Sequence, residues 1–450
     1  LEITYLGYEG KTVKAKNGMR VFLKADVAAL DEVVVVAYGK ATKGTYTGSA
    51  GVMKADKLEK LQVSDVSRAL SGQVAGVQVT SNNGQPGTKA TIRVRGVGSI
   101  NAESDPLIVV DGVPFDGDLS SIATQDIENL TVLKDAASSA IYGSKAANGV
   151  ILITTKRGKS GKATVTYQGL AGITTATDYP HFMSSGRIAE VWNKVNQSVG
   201  VGDRFTQDEI NKFKNGSDPD NYANTDWQDL LYKTGAQTQH NVTLSGGNDN
   251  AKYLASVGYL YQNGIVDNYN KNQVSARVNV DINPSDKLET SWSINFMRQD
   301  VNEPLPSYNI STAGGEGADA FGSSNSVYQI FRQINVISPM VPYKYLDGSY
   351  GSISDGNPIA WVESGAKGNT IKNNLQAIGS AKYYFFPFLS VKAALAYTRN
   401  TNEYAANVAL YSHEGEELFS APCGISIFGS GSRVYNKRSY QLEFRAKYGP

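Results

Sequence analysis

The chain has 450 residues, of which 41% are hydrophobic and 19% are charged, so it is long enough for two or more folding units and too apolar to be disordered. Its 43 Lys and Arg residues balance 42 Asp and Glu residues, which gives no support to nucleic acid as a partner. The single cysteine, Cys423, and three dispersed histidines exclude a disulfide framework and a cysteine-based zinc site, and we expect no cofactor and no metal.

Residues 1–30 predict the end of a small β-domain. The sequence has two strand-like runs, Leu1–Tyr8 and Thr12–Leu23, and the turn dipeptide Asn17-Gly18 lies within the second run. A short apolar run, Asp31–Gly39, comes next, and a stretch rich in Gly, Thr and Lys follows it. Residues 31–49 are therefore predicted to be an extended segment in flexible surroundings.

Residues 50–160 predict a compact α+β domain. Asp65–Leu70 and Lys134–Asn148 have helix-like patterns, and strand-like segments alternate with them. These strand-like segments are Val74–Thr80, Ala90–Val94, Leu107–Val110 and Val150–Thr155. Asp111-Gly112 predicts a tight turn directly after an apolar strand.

Residues 161–450 predict a membrane β-barrel. Mostly apolar residues occupy every second position in Gln273–Ile282, Leu288–Met297 and Leu389–Thr398, opposite mostly polar or small residues. A tilted strand needs about ten such residues to cross a bilayer, whereas strands of soluble proteins usually have about five or six. A helical membrane protein is excluded, because the sequence has no uninterrupted apolar run of about 18 residues.

The connections between these strands alternate between short and long. Gly246–Asp249, Asn283–Asp286 and Phe386–Phe388 predict short turns, and longer links lie between them, which is how outer-membrane barrels are built. About eight strands are present, but a barrel that holds a separate domain needs about 22. We therefore expect the chain to be a fragment, with both ends missing and the barrel incomplete.

Five motifs in the first third of the chain point to a family. They are Leu30–Gly39, Ala69–Val79, Ile92–Ile100, Pro106–Pro114 and Val132–Gly143, and the last continues through Ala146–Lys156. In this order they closely resemble the SusC/RagA family of TonB-dependent nutrient transporters of Bacteroidetes. The resemblance implies that residues 1–30 end a carboxypeptidase-regulatory-like domain and that residues 50–160 are a plug inside a barrel of about 22 antiparallel strands.

The resemblance also implies partners and a location, the cell outer membrane of a Gram-negative bacterium. Asp31–Gly39 matches the TonB box of the family, and a β-branched run suits strand pairing with a partner; the alternative is an ordinary plug strand. The predicted TonB-binding residues are Asp31, Glu32, Val33, Val34, Val35, Val36, Ala37, Tyr38 and Gly39. TonB, with ExbB and ExbD, would supply energy from the proton-motive force. A SusD-like surface lipoprotein would cap the barrel, and lipid would surround it.

Two arginines of the plug are candidates for contacts with the barrel. Arg93 and Arg95 alternate along one predicted strand, so they share a face and are expected to meet carboxylates of the wall. In the wall itself, Val278→Arg is expected to cost about 2 to 4 kcal/mol on the lipid face, and Asn279→Arg far less on the lumen face.

The predicted function is active import of oligosaccharides, and the alternative is import of oligopeptides by the same mechanism. Loop aromatics would stack on sugars or form interfacial belts; they are Trp192, Trp227, Tyr308, Tyr343 and Trp361. No enzyme is expected, because no His or Cys lies near Asp111 or Asp135 in the sequence. A surface hydrolase and an adhesin or signal transducer are the competing classes. No substrate-binding residue is identified.

Overall fold

The computed structural model describes a defined set of residues. They are 2–3, 11–12, 33–36, 39–42, 50–61, 65–81, 84–88, 90–96, 98, 104–115, 117, 119–134, 142–305, 325–351, 356–365, 367–386, 389–407 and 429–446. The Asn17-Gly18 turn, Tyr308, Cys423 and residues 135–141 of the helix predicted over Lys134–Asn148 lie outside this set.

Two short hairpins begin the described chain. Strand β1 (Glu2–Ile3) pairs with β2 (Lys11–Thr12), and β3 (Val33–Val36) pairs with β4 (Gly39–Thr42), both antiparallel. The second hairpin contains the apolar part of the predicted TonB box.

The next unit, which we call the plug, has a five-stranded sheet in the order β5-β10-β11-β8-β9. Its strands are β5 (Ala50–Lys54), β8 (Leu107–Val110), β9 (Val113–Pro114), β10 (Ile127–Leu133) and β11 (Val150–Thr155). A separate hairpin joins β6 (Val77–Thr80) to β7 (Thr91–Val94), and the helices are α1 (Ala55–Leu61) and α2 (Val66–Ala69). Residues from the sheet and both helices are buried together in one core, so the predicted α+β architecture is confirmed.

Local chemistry explains the start of α2. The Asp65 side chain accepts a hydrogen bond from the Ser67 backbone N–H at 2.8 Å, and it thereby satisfies a donor that the first turn leaves free.

Two strands of the plug sheet, β5 and β10, are not among the strand-like segments that the sequence pattern predicts.

The second unit, which we call the wall, is a sheet of eight antiparallel strands in sequence order. They are β12 (Gly161–Thr174), β13 (Gly235–Gly247), β14 (Ala251–Asn263), β15 (Asn270–Ser285), β16 (Leu288–Pro304), β17 (Lys367–Phe386), β18 (Leu389–Asn407) and β19 (Gly429–Ala446). The edge strands β12 and β19 each pair with one neighbour within the described residues. The predicted strands and the short turns at Gly246–Asp249 and Asn283–Asp286 are confirmed.

The two faces of the wall have reversed polarity compared with a soluble sheet. Its exposed face carries large apolar side chains, including Val165, Val242, Val257, Val274, Val278, Trp292, Ile294, Phe296 and Leu395. Its buried face carries polar side chains, including Asn241, Ser256, Arg277, Asn279, Ser293, Asn295, Gln376 and Thr398. An apolar face turned outward and a polar face turned inward are the pattern of a strand between lipid and a polar lumen.

The long connections between the wall strands contain helices that the sequence pattern does not predict. The helices are α3 (Ser185–Ser198), α4 (Gln207–Asn215), α5 (Trp227–Leu231), α6 (Asn325–Ile334) and α7 (Pro358–Glu363). None of the described helices is long and apolar enough to cross a membrane. Helix α4 has a capping box, in which Thr206 and Glu209 each bond the backbone N–H of the other.

Helices α5, α6 and α7 pack into an apolar core of their own beyond the long-loop end of the wall. Its buried members are Trp227, Leu231, Val266, Ile330, Ile334, Ile359, Trp361 and Val362. They come from the connections that follow β12, β14 and β16, so separate loops form one packed layer.

Candidate functional site: the plug–wall interface

A buried ion pair joins the plug to the inner face of the wall. Arg277, on β15, is 1% exposed, and its Nε donates to Asp126 Oδ2 of the plug at 3.3 Å. Asp126 lies at the end of a 3-10 turn directly before β10, and its Oδ1 accepts from Ser256 Oγ on β14 at 2.8 Å. Each carboxylate oxygen of Asp126 is thus bonded to a different strand of the wall.

A second plug carboxylate, that of Asp111, reaches the same arginine. Asp111 and Gly112 form the turn between β8 and β9 with φ values of 49° and 89°, so the predicted tight turn is confirmed. The carboxylate accepts from the Thr155 backbone N–H at 2.9 Å and from Thr155 Oγ1 at 2.7 Å. Its Oδ2 lies 3.9 Å from Arg277 Nη1. Asp111 therefore ties the turn to β11 and places a second negative charge beside Arg277.

The segment that leads from β11 of the plug to β12 of the wall is also bonded to the wall. We call this segment, residues 156–160, the plug exit. Asn279, on β15, is fully buried; its Nδ2 donates to Lys156 O at 2.7 Å, and its Oδ1 accepts from Ser293 Oγ at 2.7 Å. Arg157 then lies 3.1 Å from Asp281 and 3.5 Å from Asp111. Hydrogen bonds and charges thus run continuously from β8 and β11 of the plug to β15 and β16 of the wall.

The composition of this interface matters for what it can do. Buried charges are stable only when they are paired and hydrogen-bonded, so the network fixes one position of the plug. Polar contacts of this kind can also exchange for water when the surfaces separate, because each group then recovers its hydration. The interface can therefore hold a plug firmly at rest and still allow its displacement by an applied force.

The two plug arginines predicted to face the wall lie in other surroundings. Strand β7 ends at Val94, and Arg95 follows with a φ of 60°, so the two arginines do not alternate along one strand as expected. Arg93 pairs with Asp105 of the plug itself, and Arg95 is exposed. The described ion pairs between plug and wall are made instead by Arg277 and Arg157. Sequence analysis missed them, because each lies among ordinary strand or turn residues with no local motif.

The predicted TonB-binding segment is described in part. Val33, Val34, Val35 and Val36 form β3, and Gly39 begins β4, with Val33 opposite Thr42 and Val36 opposite Gly39. Asp31, Glu32, Ala37 and Tyr38 lie outside the described residues. The segment thus adopts an extended backbone where it is described, and its role as a TonB box stays a prediction.

Two of the loop aromatics have a role that was not foreseen. Trp227 is 2% exposed and Trp361 1% exposed, both within the loop core, so neither can stack on a sugar or sit in an interfacial belt. Trp192, on α3, is 44% exposed, with the Arg204 guanidinium 5.1 Å from its ring centre. Tyr343 packs against the loop core.

Comparison with known proteins agrees with this architecture. The model of the TonB-dependent Receptor Plug Domain matches residues 42–150. TonB-dependent receptor SusC of Bacteroides thetaiotaomicron is 34% identical over 426 residues, which cover 87% of this chain and 39% of SusC. The chain belongs to the SusC/RagA family of TonB-dependent receptors. TonB-dependent receptor P3 of Formosa agariphila is 33% identical over 90% of this chain and 38% of its own length.

The solved structures support the same fold for this SusC/RagA chain. The RagAB peptide importer in its open-open state matches 84% of the chain and 43% of its own chain, with a TM-score of 0.66 and 24% identity. The chain spans about two fifths of the length of the curated relatives that it matches, with 39% of SusC and 38% of P3 covered. Members of this family are outer-membrane β-barrel proteins, so the wall is part of such a barrel and the plug occupies its polar side.

Proposed function

We propose that the complete protein imports a nutrient across the outer membrane at the expense of energy supplied by TonB. The observation that carries this proposal is the buried network of Arg277, Asp111 and Asp126, which fixes a separate folded unit on the lumen face of the wall. A pore that is closed by a folded plug cannot conduct large solutes passively, and it needs work to open. The polar character of the network allows that work to be reversible.

TonB binding is assigned to the segment Asp31–Gly39. Its β-branched run favours an extended backbone, and a partner strand can add to such an edge by main-chain hydrogen bonds. A force on this segment reaches the plug through β5, which pairs with β10 next to Asp126. ExbB and ExbD would energise TonB from the proton-motive force.

The proposed cargo is oligosaccharides. A SusD-like surface lipoprotein would deliver them to the transporter from above the loop helices. The resemblance to the SusC/RagA family supports both, and the many amide and hydroxyl groups on the inner face of the wall suit a hydroxylated solute. Oligopeptides are the second candidate, because the structurally similar RagAB proteins are described as peptide importers.

Uptake by cells that carry the complete protein and its lipoprotein tests this function. A panel of labelled oligosaccharides and oligopeptides would be offered with and without a protonophore. We expect accumulation of one or more oligosaccharides that stops when the proton gradient is removed. Accumulation of peptides alone would replace the cargo, and accumulation that ignores the protonophore would contradict active import.

A further inference from the structure

The inner face of the wall has a second polar region, above the ion network and toward the long-loop end. Its centre consists of four amide side chains, each at least nine-tenths buried: Gln273, Gln299, Asn374 and Gln376. Gln273 and Gln299 are directly opposite each other on β15 and β16. Asn374 and Gln376 follow on β17, opposite Met297 and Asn295. The four amides therefore form one continuous patch, which we call the amide patch.

The amide patch differs from the network below it in hydrogen bonding. Within the described residues, Gln273 Oε1, Gln299 Nε2, Asn374 Oδ1 and Gln376 Nε2 have no hydrogen-bond partner. In contrast, Asn279 in the lower network uses both ends of its amide. An unpaired buried polar atom destabilises the folded state, so a cluster of them on one surface calls for a functional reason.

A loop of the plug lies against the amide patch at Gln299. Gly87, with a φ of 80°, lies so close that a Cβ atom on it would be 3.1 Å from Gln299 Nε2 and 2.8 Å from Val301 Cγ2. Gln85, in the same loop, extends to Gly264 at the end of β14, where a Cβ atom would lie 2.8 Å from Gln85 Oε1. Loop residues 84–88 thus occupy the space next to Gln299 while the plug is in place.

Positive charge lies beside the amide patch. Lys271 precedes Gln273 by two residues on the same face of β15 and is buried, and Lys372 lies opposite Gln299. The plug charges that act on Lys271 are those of Asp65 and Arg68 on and beside α2, which would leave together with the plug. Glu303, higher on β16, is the nearest acidic residue of the wall face on that strand. Withdrawal of the plug would leave two lysines next to four amides.

We propose that the amide patch, with Lys271 and Lys372, is a transit subsite for acidic oligosaccharides that opens when loop 84–88 withdraws. Two unpaired donors and two unpaired acceptors suit hydroxyl groups, since each hydroxyl can donate and accept. The lysines suit the carboxylate or sulfate groups of an acidic sugar. This inference rests on the proposed import function and names its cargo more closely.

Thiol labelling of the complete protein in energised cells tests this subsite. Cys423 is first replaced by alanine, and Gln299→Cys is then compared with Asn302→Cys, a matched position on the opposite face of β16. In energised cells we expect a small anionic methanethiosulfonate to label the Gln299→Cys variant about tenfold faster than its cationic analogue does. The reason is that the lysines concentrate anions. Lys271→Gln with Lys372→Gln should remove that preference, and position 302 should not respond to energisation.

Protection by sugars tests the cargo class in the same assay. Oligogalacturonate is expected to slow labelling at position 299 several-fold, whereas maltohexaose and trialanine at equal concentration should not. Equal protection by maltohexaose, protection by trialanine alone, or no protection would overturn the subsite. An absence of labelling in cells that do accumulate cargo would also overturn it. An absence of proton-dependent uptake in the same cells would instead count against the proposed function.

Discussion

Replacement of Arg277 by leucine should release the plug from the wall. The substitution removes the one side chain that lies 3.3 Å from Asp126 and 3.9 Å from Asp111, and it leaves Asp126 buried with a hydroxyl, from Ser256, as its side-chain partner. Loss of one partner from a buried pair costs about 3 to 5 kcal/mol. Each 1.4 kcal/mol is a factor of about ten, so the docked state should lose roughly a hundred-fold to a few thousand-fold in relative population.

Hydrogen exchange of the complete protein in detergent measures this change directly. Amides of β10 and β11 should exchange faster in the Arg277→Leu variant, while amides of the wall strands β17 and β18 should not. Arg277→Leu combined with Asp126→Asn should recover much of the protection, because no uncompensated carboxylate then remains at that position. Lys212→Ala is the control, since its pair with Asp208 is exposed to solvent and far from the plug–wall interface. Unchanged exchange in Arg277→Leu, or a double variant worse than the single one, would refute the reasoning.

Three further predictions concern the lipid face, the plug exit and the loop layer. Val278→Arg should lower the free energy of unfolding in lipid by about 2 to 4 kcal/mol, whereas Ala394→Arg, on the lumen side of β18, should cost less; equal losses would mean that the wall does not face lipid. Gly158→Ala should destabilise the plug exit by about 1 to 3 kcal/mol in thermal melts, because its Cβ would lie 2.4 Å from Tyr253 N; a wild-type melt would contradict this contact. The pKa of Glu190 lies below its ordinary value of 4.5 because Lys214 and Arg187 bond to it. The pairing of α3 with α4 is therefore stabilised above pH 4.5 and weakens as the pH falls below it; Trp192 fluorescence should report this transition in the wild type and not in Glu190→Gln.

The alternation of the strands made the wall predictable from the sequence. In β15 every second residue from Val274 to Ile282 is apolar, and these are the side chains on the outward face. A period of two separates an apolar face from a polar face, and the length of the strands indicates that they cross a bilayer, so the apolar face meets lipid. The Asp111-Gly112 turn was predictable for a similar reason, because few residues accept positive φ at both central positions.

Contacts between distant segments were not predictable in this way. Asn279 was expected to tolerate arginine, because the lumen face of a barrel strand is usually wet. This expectation is wrong, since Asn279 is fully buried against Lys156 and Thr155 of the plug, and a larger charged side chain has no room there. Periodicity shows which face a residue occupies, but it does not show which other unit covers that face.

The loop helices were missed for a different reason. The capping box of Thr206 and Glu209 is a local signal that the sequence does contain, and it lies just before the helical run Gln207–Asn215. The long connections, however, are predicted only as links between barrel strands, without secondary structure of their own. Trp227 and Trp361 were expected to stack on sugars or to form interfacial belts, but they are buried in the loop core.

Energised uptake after removal of the predicted TonB box tests the central claim most directly. The complete protein without Asp31–Gly39 would be compared with the wild type in cells of the same strain, with surface labelling and heat-modifiable gel mobility as the controls for insertion. We expect normal insertion and loss of proton-dependent accumulation, because this segment lies ahead of the packed plug and, in the proposed function, transmits the force. Accumulation at the wild-type rate by the deleted protein would contradict the account.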